Sequence, residues 1–298
     1  MSTLYRKYRP QTFENVIGQT HIIQTITNEI SMGRVAQAYL FSGSRGVGKT
    51  TTARLLAKAM NCQNRKDGKF EPCEECLSCK EITGGRSIDV IEIDAASQTG
   101  VDNVRENIIE NAQFKPTASK FKIFIIDEVH MLSNSSFNAL LKTLEEPPAH
   151  AIFILATTEL HKLPDTVISR CQRFNFKKIK FDDMLKRLEE LAKSEGVKID
   201  KDVLKRIINK SDGCLRDAES LLGQIFSLNI KKITTEDAQM ILPTADAETV
   251  LNYVECLIQK NAGDAIRTVN HLGESGASLD QFAHDLFEIL RLMIIGQS

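Results

Sequence analysis

Apolar positions along the chain follow two different periods, and the change from one to the other divides it. Up to residue 178, short near-continuous apolar runs alternate with longer amphipathic ones. Phe121 to Ile126 reads as a buried parallel strand, Ala38-Tyr39-Leu40-Phe41 and Ala151 to Ala156 as apolar strands, and Ile88 to Asp94, with acids interspersed, as a further strand. Gln172 to Lys177 is a last strand-like stretch. Between them lie helical patterns. Ile22, Ile23, Ile26 and Ile30 share one side of a helix that ends near Gly33, and Thr51 to Met60 favours helix. Gly100 to Phe114 carries Val101, Val104, Ile108 and Ile109, and Ser133 to Glu146 stops at Pro147-Pro148. Four strands with intervening helices predict an α/β fold, an open parallel sheet whose ligand edge is the carboxyl end of its strands.

Past Lys178 the pattern is helical: Asp182 to Glu195, Asp200 to Lys210, Leu215 to Leu228 and Thr235 to Leu242, with Pro243 as a boundary. Three more helical segments follow, with Val250, Val254, Leu257 and Ile258 in the first and Phe282, Leu286, Phe287, Leu290 and Met293 in the last. The expected division is therefore 1–178, 179–243 and 244–298, without internal repeats or low-complexity tracts.

Chemistry enters at the turn after the first strand. Gly43-Ser44-Arg45-Gly46-Val47-Gly48-Lys49-Thr50 sits between a strand and a helix, the setting a phosphate-binding loop requires. Its glycines let backbone N–H groups close around a phosphate, and the helix N-terminus adds its dipole. Lys49 reaches the β and γ oxygens, and Thr50 ligates Mg²⁺. The run Phe121 to Ile126 leads straight into Asp127-Glu128-Val129-His130. Two acids after a strand, taken alone, are a solvated strand end. With a phosphate loop upstream, Asp127 suits the Mg²⁺ coordination sphere and Glu128 suits polarising a water aimed at the γ-phosphate. The next strand ends in Thr157-Thr158, where a polar side chain can sense that phosphate. Lys49, Asp127 and Thr157 all fall at the carboxyl edge. The opening Leu4 to Pro10, followed by Phe13 to Gln19, is too polar for a core strand; it reads either as a capped N-terminal arm or as a segment packed near a nucleotide base.

Cys62, Cys73, Cys76 and Cys79 give C-x10-C-x2-C-x2-C in a polar insertion after the phosphate-loop helix. Four thiolates suit tetrahedral structural zinc, and metal would supply folding energy to a segment with no core of its own. The shared Cys76 also resembles an iron–sulfur run, so both occupants stand at this point. Cys171, Cys214 and Cys256 read as ordinary thiols, and seven cysteines leave one over in any disulfide scheme, which fits a reducing compartment. The remaining composition narrows little. With 298 residues, 42% apolar and 26% charged, the chain has the balance of a globular protein of about two domains. Its 38 basic and 39 acidic residues leave a net charge of −1, so a polyanion would need a local patch. No run approaches the length of a membrane span, and the chain reads as cytoplasmic.

Taken together, Tyr8-Arg9-Pro10, the phosphate loop, the cysteine insertion, Asp94-Ala95-Ala96-Ser97, Asp127 to Leu132, Leu140 to Pro147, Ser169-Arg170-Cys171 and Arg216-Asp217-Ala218 resemble the gamma/tau subunits of the bacterial DNA polymerase III clamp loader, which are AAA+ ATPases. The resemblance runs from Leu4 to about Leu242. It implies a AAA+ domain with an inserted zinc module, an all-α lid and an α-helical collar. It implies ATP, Mg²⁺ and Zn²⁺ as cofactors. Lys49 and Thr50 would serve phosphate and metal, Asp127 and Glu128 metal and water, Thr157 the first sensor and Arg216 the second. Arg170 would be an arginine finger offered in trans to a neighbouring subunit, against the alternative of a loop arginine capping a strand. Tyr8, Arg9, Pro10, Val16 and Ile17 would contact adenine. The implied partners are delta and delta-prime subunits, further copies of the chain, the sliding clamp and primer-template DNA, with no membrane. Arg105 and Lys142 are candidates for backbone phosphates of DNA, or equally solvated helix charges. Two other readings keep the motifs: a non-catalytic AAA+ scaffold subunit, and another DNA-remodelling AAA+ ATPase such as a branch-migration motor. The chain stops at Ser298, so only the start of a collar fits after Pro243, as in a truncated or unusually short form.

Overall fold

Two faces of one parallel sheet account for most of the buried apolar surface. The structure, a computed structural model, describes residues 3–97, 104–239, 241, 247–274 and 279–296. Gly100, Val101, Leu242 and Pro243 lie outside them. Strands β1 (Ala38–Ser42), β2 (Val90–Asp94), β3 (Lys122–Asp127), β4 (Ala151–Thr157) and β5 (Gln172–Asn175) form a sheet of order β2-β3-β4-β1-β5, every pair parallel. The four-strand expectation is corrected to five, because the strand-like stretch from Gln172 pairs with β1 at the edge.

Side chains alternate between the faces with period two. Tyr39, Phe41, Ile123, Ile125, Ile152 and Ile154 pack with Leu55 and Leu56 of the Lys49–Asn61 helix and with Ile22 and Ile26 of the Thr20–Met32 helix. Leu40, Phe124, Ile126, Phe153 and Leu155 face the other way, onto Ile108 and onto Phe137, Leu140 and Leu144 of the Asn134–Glu145 helix. Coverage on both faces explains why β1, β3 and β4 read as unbroken apolar runs. The Thr20–Met32 helix ends at Gly33 in the left-handed conformation, and Ser133 caps the Asn134–Glu145 helix through the Ser136 amide.

The expected strand from Ile88 begins two residues late, at Val90. Asp89 is buried, and its carboxylate accepts from the amides of Thr117, Ala118 and Ser119 at 2.8 Å each. The residue anchors the loop before β3 instead of extending β2. The helix expected to end at Phe114 is a π-helical run, Arg105–Glu110, continued by one α-turn, Asn111–Gln113.

The described residues form two compact units, 1–187 with 211–220 and 188–210 with 221–298. The first holds the five-stranded sheet. The second holds the Lys201–Lys210 helix, a two-residue parallel pairing of Lys198-Ile199 with Lys232-Ile233, and the helices Ala247–Ile258, Ala262–Glu274 and Leu279–Ile295. Val250, Leu272 and Phe282 make a small core among those last three. No helix among the described residues is long and apolar enough to cross a membrane.

Asp89→Ala leaves three amides without their acceptor and is expected to cost about 2–3 kcal/mol in urea unfolding. Burial works to raise this carboxyl's pKa, but the three amides outweigh it and hold it below the ordinary value. The deficit against the parent should therefore be complete above the unfolded pKa of about 4 and shrink as pH falls through the lower folded value.

Candidate functional site

The carboxyl ends of β1, β3 and β4 bring the sequence motifs together, with Ser42 in register beside Thr157 and Asp94 beside Asp127. The glycine-rich loop turns from β1 into the Lys49–Asn61 helix, and Lys49 and Thr50 form the first turn of that helix. Lys49 Nζ donates to the carbonyls of Gly43 and Ser44 at 2.8 Å each, and burial lowers its pKa against the opposing pull of Glu128 and Asp127. Thr50 Oγ1 donates to Asp127 Oδ2 at 2.7 Å. A hydroxyl and a carboxylate that close together, at the start of a helix and the end of a strand, fit a shared divalent cation.

Glu128 sits in the left-handed region (φ 46°), where a non-glycine residue is strained. Its Oε2 accepts from Thr158 Oγ1 at 2.9 Å. Thr157 is fully buried, and its hydroxyl meets His130 Nδ1 at 3.0 Å. His130 Nε2 lies 3.2 Å from Glu159 Oε1. Thr157 is thus joined to the acidic turn through His130.

One pocket is lined by Arg45 to Thr51, Asp127 and Glu128 on its polar side and by Pro10, Val16, Ile17 and Ile179 on its apolar side. Arg9, Arg216, Tyr5, Leu215 and Glu219 complete it. Arg216 lies over the Tyr5 ring, 4.7 Å from its centroid. Hydrogen bonding from Thr3 and from Arg216 draws the Tyr5 phenol down to about 8. Burial lowers the pKa of Arg9, as does the nearby Arg54. Glu219 is buried beside Arg187, 3.2 Å from its Nε, and Arg187 Nη2 also donates to the Tyr8 carbonyl at 2.6 Å.

Several expected residues lie elsewhere. Tyr8 is not among the lining residues; Tyr5, one helical turn earlier, is. Gly43 and Ser44 line a separate open depression with Thr158, His161 and Asp165. Arg170 lies outside the pocket, donating to Glu145 Oε1 through Nε at 2.9 Å and also through Nη2, and to the Thr166 carbonyl through Nη1 at 2.6 Å. Arg105 and Lys142 are exposed. The contributions of Ile179 and Glu219 were hidden in sequence because they come from far along the chain; Tyr5 belongs to the expected arm, and its aromatic spacing with Tyr8 was the one available signal.

The sulfurs of Cys62, Cys73, Cys76 and Cys79 all lie within 4.8 Å of one another. A tetrahedral zinc with bonds of about 2.3 Å needs sulfur separations of about 3.8 Å, so the set fits. The amides of Cys73, Cys76 and Cys79 donate to the sulfurs of Cys62, Cys73 and Cys76 at 3.3, 3.3 and 3.4 Å. Burial opposes ionisation of Cys73, but the amides of Cys76 and Glu75 and the adjacent thiols bring it to about 6. Of the other thiols, Cys171 is pushed up to about 12 and Cys214 to about 11, chiefly by burial.

Residues 18–180 match the family described as DNA polymerase III, delta subunit. Over 292 residues the chain is 46% identical to DNA polymerase III subunit tau of Bacillus subtilis, covering 98% of this chain and 51% of that protein. It is 41% identical over 294 residues to subunit tau of Escherichia coli, covering 99% and 45%. With subunit gamma of Buchnera aphidicola subsp. Acyrthosiphon pisum it shares 42% identity over 290 residues, covering 97% and 79%. The chain thus spans about half the length of the two tau relatives. Its fold is similar to that of the Thermotoga maritima RuvB Holliday junction branch migration motor, with TM-score 0.59, 17% identity and coverage of 94% and 91%.

Gly46 has φ +71°, and a Cβ there would run into the Cys214 sulfur. Gly46→Ala is therefore expected to lower stability by about 2–4 kcal/mol, combining overpacking with left-handed strain. Adding Cys214→Ala should recover the overpacking part in thermal unfolding and leave the strain.

Proposed function

The chain belongs to the DNA polymerase III tau/gamma family, and from that premise we propose that it is an ATPase subunit of the replicative clamp loader, coupling ATP binding and hydrolysis to placement of the sliding clamp on primed DNA. The observation that carries this reading is the convergence of Lys49, Thr50, Asp127, Glu128 and Arg216 on one pocket. On phosphate binding, Lys49 exchanges its two carbonyl partners for β and γ oxygens, while loop amides take the remaining charge. Thr50 and Asp127 would hold Mg²⁺, which supplies charge neutralisation at the phosphates. Glu128, oriented by Thr158, accepts hydrogen bonding from the attacking water, and Thr157 positions the γ-phosphate side of the site. Arg216 serves in cis, and Pro10, Val16 and Ile17 take the base.

Arg170 acts in trans, completing the site of an adjacent subunit by stabilising transition-state charge. Its place outside the pocket of its own chain supports that assignment. The site then depends on assembly with further copies and with delta and delta-prime subunits. Arg105 and Lys142, both exposed, contact the phosphate backbone of primer-template DNA without reading sequence. Residues 1–178 form the AAA+ domain, 179–243 the lid and 244–298 the start of a collar. The four cysteines hold one zinc, and the protein works in the cytoplasm.

Steady-state ATP turnover of the assembled complex is expected to rise when clamp and primed DNA are added together. Turnover indifferent to both would overturn the clamp-loader reading, and single-turnover hydrolysis by the parent no faster than by Lys49→Ala would favour a scaffold. In mixed assemblies, Arg170→Ala should leave nucleotide binding to its own chain unchanged and slow hydrolysis at the neighbouring site about a thousandfold or more. Elemental analysis is expected to find one zinc per chain, lost in Cys79→Ser together with a lower melting temperature.

A further inference from the structure

The cysteine cluster does not stand apart from the nucleotide pocket. Its loop carries two carboxylates, one that holds the arm forming the pocket's apolar wall directly and one that meets a lysine bonded to that arm. Glu71, two residues before Cys73, accepts from two successive amides of that arm: Phe13 N to Oε2 at 3.0 Å and Glu14 N to Oε1 at 3.1 Å. Glu74, between Cys73 and Cys76, lies 2.6 Å from the Nζ of Lys58, which is only 2% exposed. The same ammonium donates to Gln11 Oε1 at 2.9 Å, and Gln11 Nε2 donates back to the Arg9 carbonyl at 3.0 Å. Apolar contact runs in parallel, with the Phe13 and Phe70 rings edge to face at 6.5 Å.

The anchored residues, 11 to 14, lie between the two parts of the arm that line the pocket, Arg9-Pro10 and Val16-Ile17. The arm is short and polar, its Leu4–Lys7 helix is four residues long, and it has no strand of its own to fix it. Its position therefore rests on what grips it from outside. The gripping loop in turn is held by the cysteines: Glu74 stands in the left-handed region (φ 63°) inside the C-x2-C turn, a conformation a bound metal would stabilise.

We propose that the four-cysteine module is a metal-dependent clamp on the base-side wall of the nucleotide pocket, with Glu71 and Glu74 as its positioning residues. It rests on the reading of the pocket as a nucleotide site. Metal bound to the four thiolates fixes the loop, the loop fixes residues 11 to 14, and these hold Pro10 and Val16 at the spacing the base requires. The phosphate loop on the far side is built on β1 and the first turn of the Lys49–Asn61 helix, whereas Lys58, the residue of that helix that Glu74 meets, stands in its last turn. Base binding and triphosphate binding are therefore separable, and only the first follows metal occupancy.

Equilibrium binding of a fluorescent ATP analogue and, by competition, of inorganic tripolyphosphate tests this on the full chain in the presence of Mg²⁺, with zinc content measured alongside. For Glu71→Ala and Glu74→Gln with zinc retained, ATP affinity is expected to fall about tenfold, part of the worth of the charge-assisted bonds removed, with tripolyphosphate within twofold of the parent. Zinc-stripped parent, prepared under reducing conditions, should behave as Glu71→Ala does and recover on adding zinc. Unchanged ATP affinity in the zinc-loaded variants overturns the clamp. An equal fall for both ligands also overturns it, because the module would then support the whole domain. A parent that binds neither ligand removes the nucleotide reading itself, and the clamp with it.

Discussion

The hydrogen bond from Thr50 to Asp127 joins residues 77 positions apart, and the rest of the site depends on the geometry that permits it. It requires β1 and β3 to end at the same level of a sheet in which β4 lies between them. That level is set by the parallel registers of β3 with β4 and of β4 with β1, and those registers are held by two apolar faces that tolerate no one-residue slip. The position of the proposed site is thus a by-product of core packing. A shift of β3 by one residue would turn Phe124 off its stack with Phe153 and would carry Asp127 away from Thr50 in the same movement.

Charge is distributed to match. Lys49 satisfies its ammonium on two loop carbonyls, and Glu128 satisfies its carboxylate on Thr158, so neither charge is left buried alone while the acids and the lysine stay close. These are the interactions that the proposed triphosphate would replace with stronger ones of the same kind. Strain at Glu128 and the tight approach of Gly46 to Cys214 mark where the backbone is held most narrowly.

Much of this was legible in sequence for physical reasons that can be stated residue by residue. The phosphate loop, Asp127-Glu128 and the four cysteines are local patterns whose chemistry fixes their spacing, and the strands on either side are apolar on both faces because they are central. What was not legible depended on distant pairing. Gln172 to Asn175 is too polar to announce an edge strand, although β1 needed a partner on that side. Asp89 reads as part of a strand until its three amide donors, some thirty residues later, are seen. Tyr5 and Tyr8 are interchangeable by composition, and only the turn of the Leu4–Lys7 helix decides which faces Arg216. Glu71 and Glu74 look like solvated charges of an insertion until Phe13, Glu14 and Lys58 are placed against them.

The cation–π contact of Arg216 with Tyr5 spans nearly three quarters of the chain. During synthesis the first wall of the pocket leaves the ribosome early, and its counterpart emerges only after some two hundred further residues. The five-stranded sheet can collapse once β5 is out, because none of its registers uses a residue beyond Asn175. The sheet therefore needs nothing from the segment that closes the pocket, whereas the wall of Tyr5, Pro10 and Val16 is completed only by Leu215 and Arg216.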